Sequence, residues 1–133
     1  YCGAMLALLA VVGLGLWLTG QPIQSPITDE RQFAWFVQIG WWHTPITEEL
    51  IYRVALCIPI AGWLGPWPAI VLSGTVFGLF HYLWDTFQVS HPIAGMLGMW
   101  AYLRSSCLWI PMLMHAVCNL FGWSVFCALF YLG

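Results

Sequence analysis

The chain has 133 residues, enough for one compact domain. Its charged share is 6%, against about 25% in a water-soluble domain, so it cannot cover itself with solvated surface. The formal charge of −2 excludes the basic face that nucleic-acid binding needs, and a mean hydropathy of +0.84 with ten tryptophans points to a bilayer, where Trp gathers at the interfaces.

A spanning helix needs ~20 largely apolar residues. The first candidate runs from Cys2 to Thr19. It is long for the core of a signal peptide and has no basic residue ahead of it, so it reads as a membrane helix. The first residue is Tyr1 rather than Met, as in a fragment or a trimmed chain. Residues 20–32 are polar and contain Pro26, and Asp29-Glu30-Arg31 belongs in water. The aromatic stretch from Phe33 to Trp42 reads as a short interfacial helix.

Thr44-Pro45 has the form of a helix start, with Thr as cap and Pro in the first turn. That helix is expected to reach Leu64, where Gly65-Pro66 breaks the chain. A third helix is expected from Trp67 to Trp84, followed by a polar connection from Asp85 to Ser90. The apolar segment from Pro92 to Arg104 is only ~20 Å long as a helix and spans barely or sits inside the bundle. A last helix runs from Leu108 to Leu132. The expected fold is an all-α polytopic membrane protein, a bundle of about five transmembrane helices plus a short interfacial helix. Residues 1–43 form the N-terminal transmembrane helix and interfacial segment, and 44–133 form the helical core. Arg31 and Arg104 fall on opposite sides of this topology, so loop charge does not orient it.

Six polar side chains fall inside these apolar segments: Glu48, Glu49, Arg53, His81, His115 and Asn119. An ionisable group in a membrane segment costs ~2.5–3.5 kcal/mol on insertion scales and marks function. Glu49 and Arg53 are four apart in the favourable acid-first order. Glu48, five before Arg53, lies roughly 140° around the helix and is free to face a shared cavity. His115 and Asn119 share a helix face, as do Phe77 and His81. Asn119 and His81 lie at matching depths, ~17 and ~20 Å along their helices, so the set can converge.

These residues form three patterns, Glu48-Glu49-x-x-x-Arg53, Phe77-x-x-x-His81 and His115-x-x-x-Asn119. In that order the chain resembles the CPBP-family intramembrane proteases, the group that includes CAAX prenyl endopeptidases of the Rce1 type. The resemblance covers about residues 44–122, and Val54 departs from the glycine that often follows the motif arginine. It implies hydrolysis of a peptide bond near the end of a membrane-associated protein or peptide. Glu48 and His81 would hold and activate a water, His115 and Asn119 would stabilise the oxyanion, and Glu49 and Arg53 would support the site. It implies no cofactor. A zinc variant would use Glu48, His81 and His115 as ligands, but no H-x-x-x-H pair offers a preformed face. The implied partners are a membrane-associated substrate and the lipid bilayer, not nucleic acid. A prokaryotic inner membrane is the expected home. Candidate substrates are a prenylated CAAX tail, a bacteriocin-like peptide or a C-terminal sorting signal.

The alternative is a non-enzymatic membrane protein, either a proton or ion relay or an immunity factor. Other protease signatures are missing: there is no H-E-x-x-H and no G-x-S-x-G around Ser73. Ser73 reads as a hydroxyl bonded to its own helix. His43 and His91 read as wet interfacial residues, and Asp85 as a solvated loop acid. Phe77 reads as packing beneath the site, and Gly95 and Gly98 as permits for close helix approach. The five scattered cysteines form no C-x-x-C pair and read as packing residues.

Overall fold

The computed structural model describes residues 2–20, 28–84, 86 and 88–132. Among these, every regular element is helical, as expected of an all-α chain. Helix α1 spans Cys2–Leu18 and α2 spans Glu30–Gln38, with Asp29 capping α2 by accepting from the Gln32 N–H. Two wide π-helical segments follow: π1 (Ile39–His43) leads into α3 (Thr44–Glu49), and π2 (Leu50–Cys57) leads into α4 (Ile58–Leu64). Helices α5 (Pro66–Leu83), α6 (Ser90–Ser105) and α7 (Trp109–Leu132) complete the order.

The expected start at Thr44 is corrected. His43, Thr44 and Leu50 all keep right-handed helical dihedrals, and no side chain caps Thr44-Pro45. The helix therefore runs unbroken from Glu30 to Leu64. The two prolines explain the π segments. A proline inside a helix lacks an N–H and presses on the carbonyl four residues back. Widening the preceding turn relieves that pressure, and π1 and π2 end just before Pro45 and Pro59. At Gly65 the backbone turns with φ 90°, a conformation that suits glycine, and α5 departs.

Small residues set how closely the helices approach. A Cβ on Gly95 would sit 2.9 Å from Gly74 Cα and 2.9 Å from Phe77 Cβ, so α5 and α6 meet backbone to backbone. Cys57, Ala69 and Met99 are buried between π2, α5 and α6, and Ala101 and Met114 between α6 and α7. The exterior is apolar: Trp17, Trp63 and Trp67 are 73%, 83% and 73% exposed, while Glu49 and Arg53 are 1% exposed. Among the described residues, no helix is both long and apolar enough to cross a membrane.

Candidate active site

The first part of the site is a sealed polar knot. Glu49 and Arg53 lie one turn apart across the start of π2, and Arg53 grips the carboxylate in two places, Nε to Oε2 at 2.6 Å and Nη2 to Oε1 at 3.0 Å. Arg53 Nη1 donates to Ser73 Oγ, and the Ser73 hydroxyl donates to the Gly95 carbonyl at 3.1 Å. A buried ion pair is tolerated only when its remaining hydrogen-bonding capacity is met, and this network does so across α3, π2, α5 and α6. The reading of Ser73 is thereby corrected: its hydroxyl leaves its own helix to join Arg53 and α6. Gly98 clears space for the guanidinium, since a Cβ there would lie 3.0 Å from Arg53 Cζ.

Beside the knot lies a cavity of about 650 Å³. All six polar residues of the motifs line it, so the structure brings the whole set together. His115 reaches it from α7 and links its two acids. Its Nδ1 lies 3.1 Å from Glu49 Oε1, and its Nε2 lies 3.9 Å from Glu48 Oε2. Glu48 Oε2 is buried yet has no hydrogen-bond partner. Glu48 and Glu49 are consecutive on α3, about 100° apart around the helix, so the Glu49 carboxylate reaches Arg53 while that of Glu48 turns away from it along the cavity wall.

His81 ends α5 with Nδ1 2.9 Å from the Phe77 carbonyl. A carbonyl only accepts, so Nδ1 carries hydrogen and the neutral ring keeps its lone pair at Nε2. Phe77 does more than pack beneath the site. Its ring touches His81 at 4.5 Å, His115 at 5.8 Å and His91 at 6.1 Å between centroids. Asn119 donates from Nδ2 to the Gly40 carbonyl at 2.6 Å, tying α7 to π1. The far end of the cavity is aromatic: Phe36 stacks on Trp123 at 4.1 Å, with Trp35 nearby in the lining.

The reading of His91 as a wet residue is also corrected. Helix α6 starts at Ser90, two residues before the expected apolar segment, and this turns His91 into the cavity wall. His43 is exposed, as expected, and Asp85 lies outside the described residues. The signal for His91 was present in the chain: His81 and His91 flank one short connection between antiparallel helices. Nothing in the local sequence announced the Ser73 link, which depends on how closely α5 meets α6.

The set named for zinc does not assemble as a ligand shell. Among the described residues, no three His, Cys, Asp or Glu side chains are arranged to hold a metal ion. His115 Nδ1 is engaged by Glu49 and His81 Nδ1 by a backbone carbonyl.

A family model described as type II CAAX prenyl endopeptidase Rce1-like matches residues 30–121. Curated relatives include CAAX prenyl protease 2 of Rattus norvegicus, 29% identical over 86 residues that cover 63% of this chain and 27% of the rat protein. The Caenorhabditis elegans protein of that name is 28% identical over 96 residues, covering 59% of this chain and 36% of its own. The human one is 27% identical over 103 residues, covering 63% and 31%. The chain thus spans about a third of the length of these relatives. No solved structure gives a significant match.

Proposed function

The chain belongs to the Rce1-like family of type II CAAX prenyl endopeptidases, and from that premise we propose that it is an intramembrane endopeptidase that uses Glu48 to activate a water. The observation that carries this reading is the buried Glu48 oxygen with no partner, set on the wall of the cavity that all six motif residues line. A buried acceptor left without a donor is a place for a water. His81, with its Nε2 lone pair, is the second group to hold that water. The water loses a proton to Glu48 as its oxygen attacks the scissile carbonyl, and Glu48 returns the proton to the departing amine.

The developing oxyanion needs fixed donors. Asn119 Nδ2 has a second hydrogen beyond the one given to Gly40. His115 donates from Nε2 when both its nitrogens carry hydrogen, with Glu49 accepting the one at Nδ1. Glu49 and Arg53 hold this frame in place. As proposed, the step uses no metal or cofactor.

The proposed substrate is a membrane-associated protein or peptide with a prenylated C-terminal end, as the names of the relatives indicate for those proteins. The aromatic end of the cavity suits an apolar chain. A membrane setting, with the helices packed as a polytopic bundle, is part of the same proposal. Its support is the buried Glu49–Arg53 ion pair set against an exterior that exposes large apolar side chains, Trp17, Trp63 and Trp67 among them. Residence in a prokaryotic inner membrane is proposed with it, although the named relatives are eukaryotic.

The test uses the full chain in detergent micelles and a farnesylated peptide ending in a CAAX sequence. Release of a C-terminal fragment, lost in Glu48→Gln and unaffected by chelators, is the expected result. Proton flux through proteoliposomes without cleavage would replace the hydrolase with a relay. Cleavage abolished by a chelator and restored by Zn²⁺ would replace the metal-free mechanism.

A further inference from the structure

Three imidazoles meet around Phe77, one more than the motifs supply. The His91 ring lies 3.8 Å from the His81 ring, centroid to centroid, with 33° between their planes. His91 Nδ1 accepts from the Gln88 backbone N–H at 3.0 Å, so the hydrogen of the neutral ring sits on Nε2. That arrangement leaves His91 no free lone pair, and it cannot take a proton without breaking the bond to Gln88. A role as general base is therefore disfavoured, and contact with His81 is what remains.

His81 needs such a contact. Its one hydrogen bond, from Nδ1 to the Phe77 carbonyl, fixes a nitrogen but not the plane of the ring. Rotation about that bond would swing Nε2 away from the cavity. Phe77 touches His81 at 4.5 Å but is tilted by 44°, whereas His91 is both closer and flatter. His91 is itself held firmly. The adjacent Pro92 is wedged on α5, where a Cβ at Gly78 would lie 3.1 Å from Pro92 Cδ.

We propose that His91 is a positioning residue for His81: in close, tilted contact with the His81 ring and anchored by the Gln88 N–H, it keeps His81 Nε2 presented to the reacting water. This rests on the reading of His81 as a water-holding group. Groups that orient a reacting side chain without touching substrate change rates by about 10–100-fold when lost, with little effect on binding.

Three variants separate the possibilities in the peptide-cleavage assay with the full chain. His91→Gln removes the flat ring, and kcat is expected to fall about 10-fold with KM within about twofold. His91→Phe keeps a flat ring but loses the bond to Gln88, and is expected to recover part of that loss. His81→Ala serves as the reference. Wild-type kcat in His91→Gln, or His91→Phe as slow as His91→Gln, overturns the positioning role. Full activity in His81→Ala removes the hydrolase reading of His81 instead. A second measurement needs no turnover. Imidazole nitrogen spectra should show the His81 hydrogen at Nδ1 in both proteins, with the His81 ring signals broadened by ring motion in His91→Gln. An unchanged His81 signal in His91→Gln overturns the proposal whatever happens to cleavage.

Discussion

The Glu49 carboxylate has both oxygens held by Arg53 and one also by His115, whereas the adjacent Glu48 keeps a buried oxygen without a partner. The knot around Arg53 and the cavity wall around Glu48 are therefore two different kinds of polar interior. In the knot, each charge is met by a designated partner, and the network ends on the Gly95 carbonyl. On the wall, capacity is left open. A satisfied group defines geometry, while an unsatisfied one is available to a water or a substrate. In the proposed mechanism this difference separates support from chemistry within two consecutive residues.

The largest effect that sharpens this contrast is expected at Glu48. Glu48→Gln should lower kcat by roughly 10²–10⁴-fold, the usual worth of a general base, while the unfolding midpoint in detergent does not fall. Arg53→Ala should do the reverse in kind. It strands the Glu49 charge in a buried site and should cost about 3–5 kcal/mol of stability, read by denaturant unfolding. If Arg53→Ala left stability untouched, the knot would not be a structural unit. Gly98→Ala should cost about 1–3 kcal/mol, because the new methyl presses on a guanidinium pinned from three sides. His43→Gln should stay within about 0.5 kcal/mol and keep full activity, since His43 is exposed and is not among the residues lining the cavity. A large effect there would show that the boundary of the site is drawn too tightly.

Much of the fold was legible because its signals are local. The ends near Leu18, Leu64, Leu83 and Leu132 follow from apolar runs broken by glycine, proline and polar residues. The Glu49–Arg53 pair follows from a spacing of four on one helix. The false start at Thr44 shows the limit of such signals. Thr-Pro fits a cap equally well as it fits the interior of a helix widened by a π turn, and only the packing of π1 against α7 chooses between them.

The sequence by itself determined which chemistry was available: two adjacent acids, an arginine one turn on, and imidazoles and an amide on other apolar segments. Those identities, and the all-helical form, depend on composition and spacing along one strand of chain. Spacing along the helix also turned Glu48 away from the Glu49–Arg53 pair; tertiary structure alone decided what meets these groups from other helices. It brought His115 from α7 between the two acids, 3.1 Å from Glu49 and 3.9 Å from Glu48. The early start of α6 and the glycine contact with α5 brought in His91 and Ser73. These assignments depend on distances between helices that no spacing within a helix encodes, because they arise from side chains of one segment filling the gaps of another.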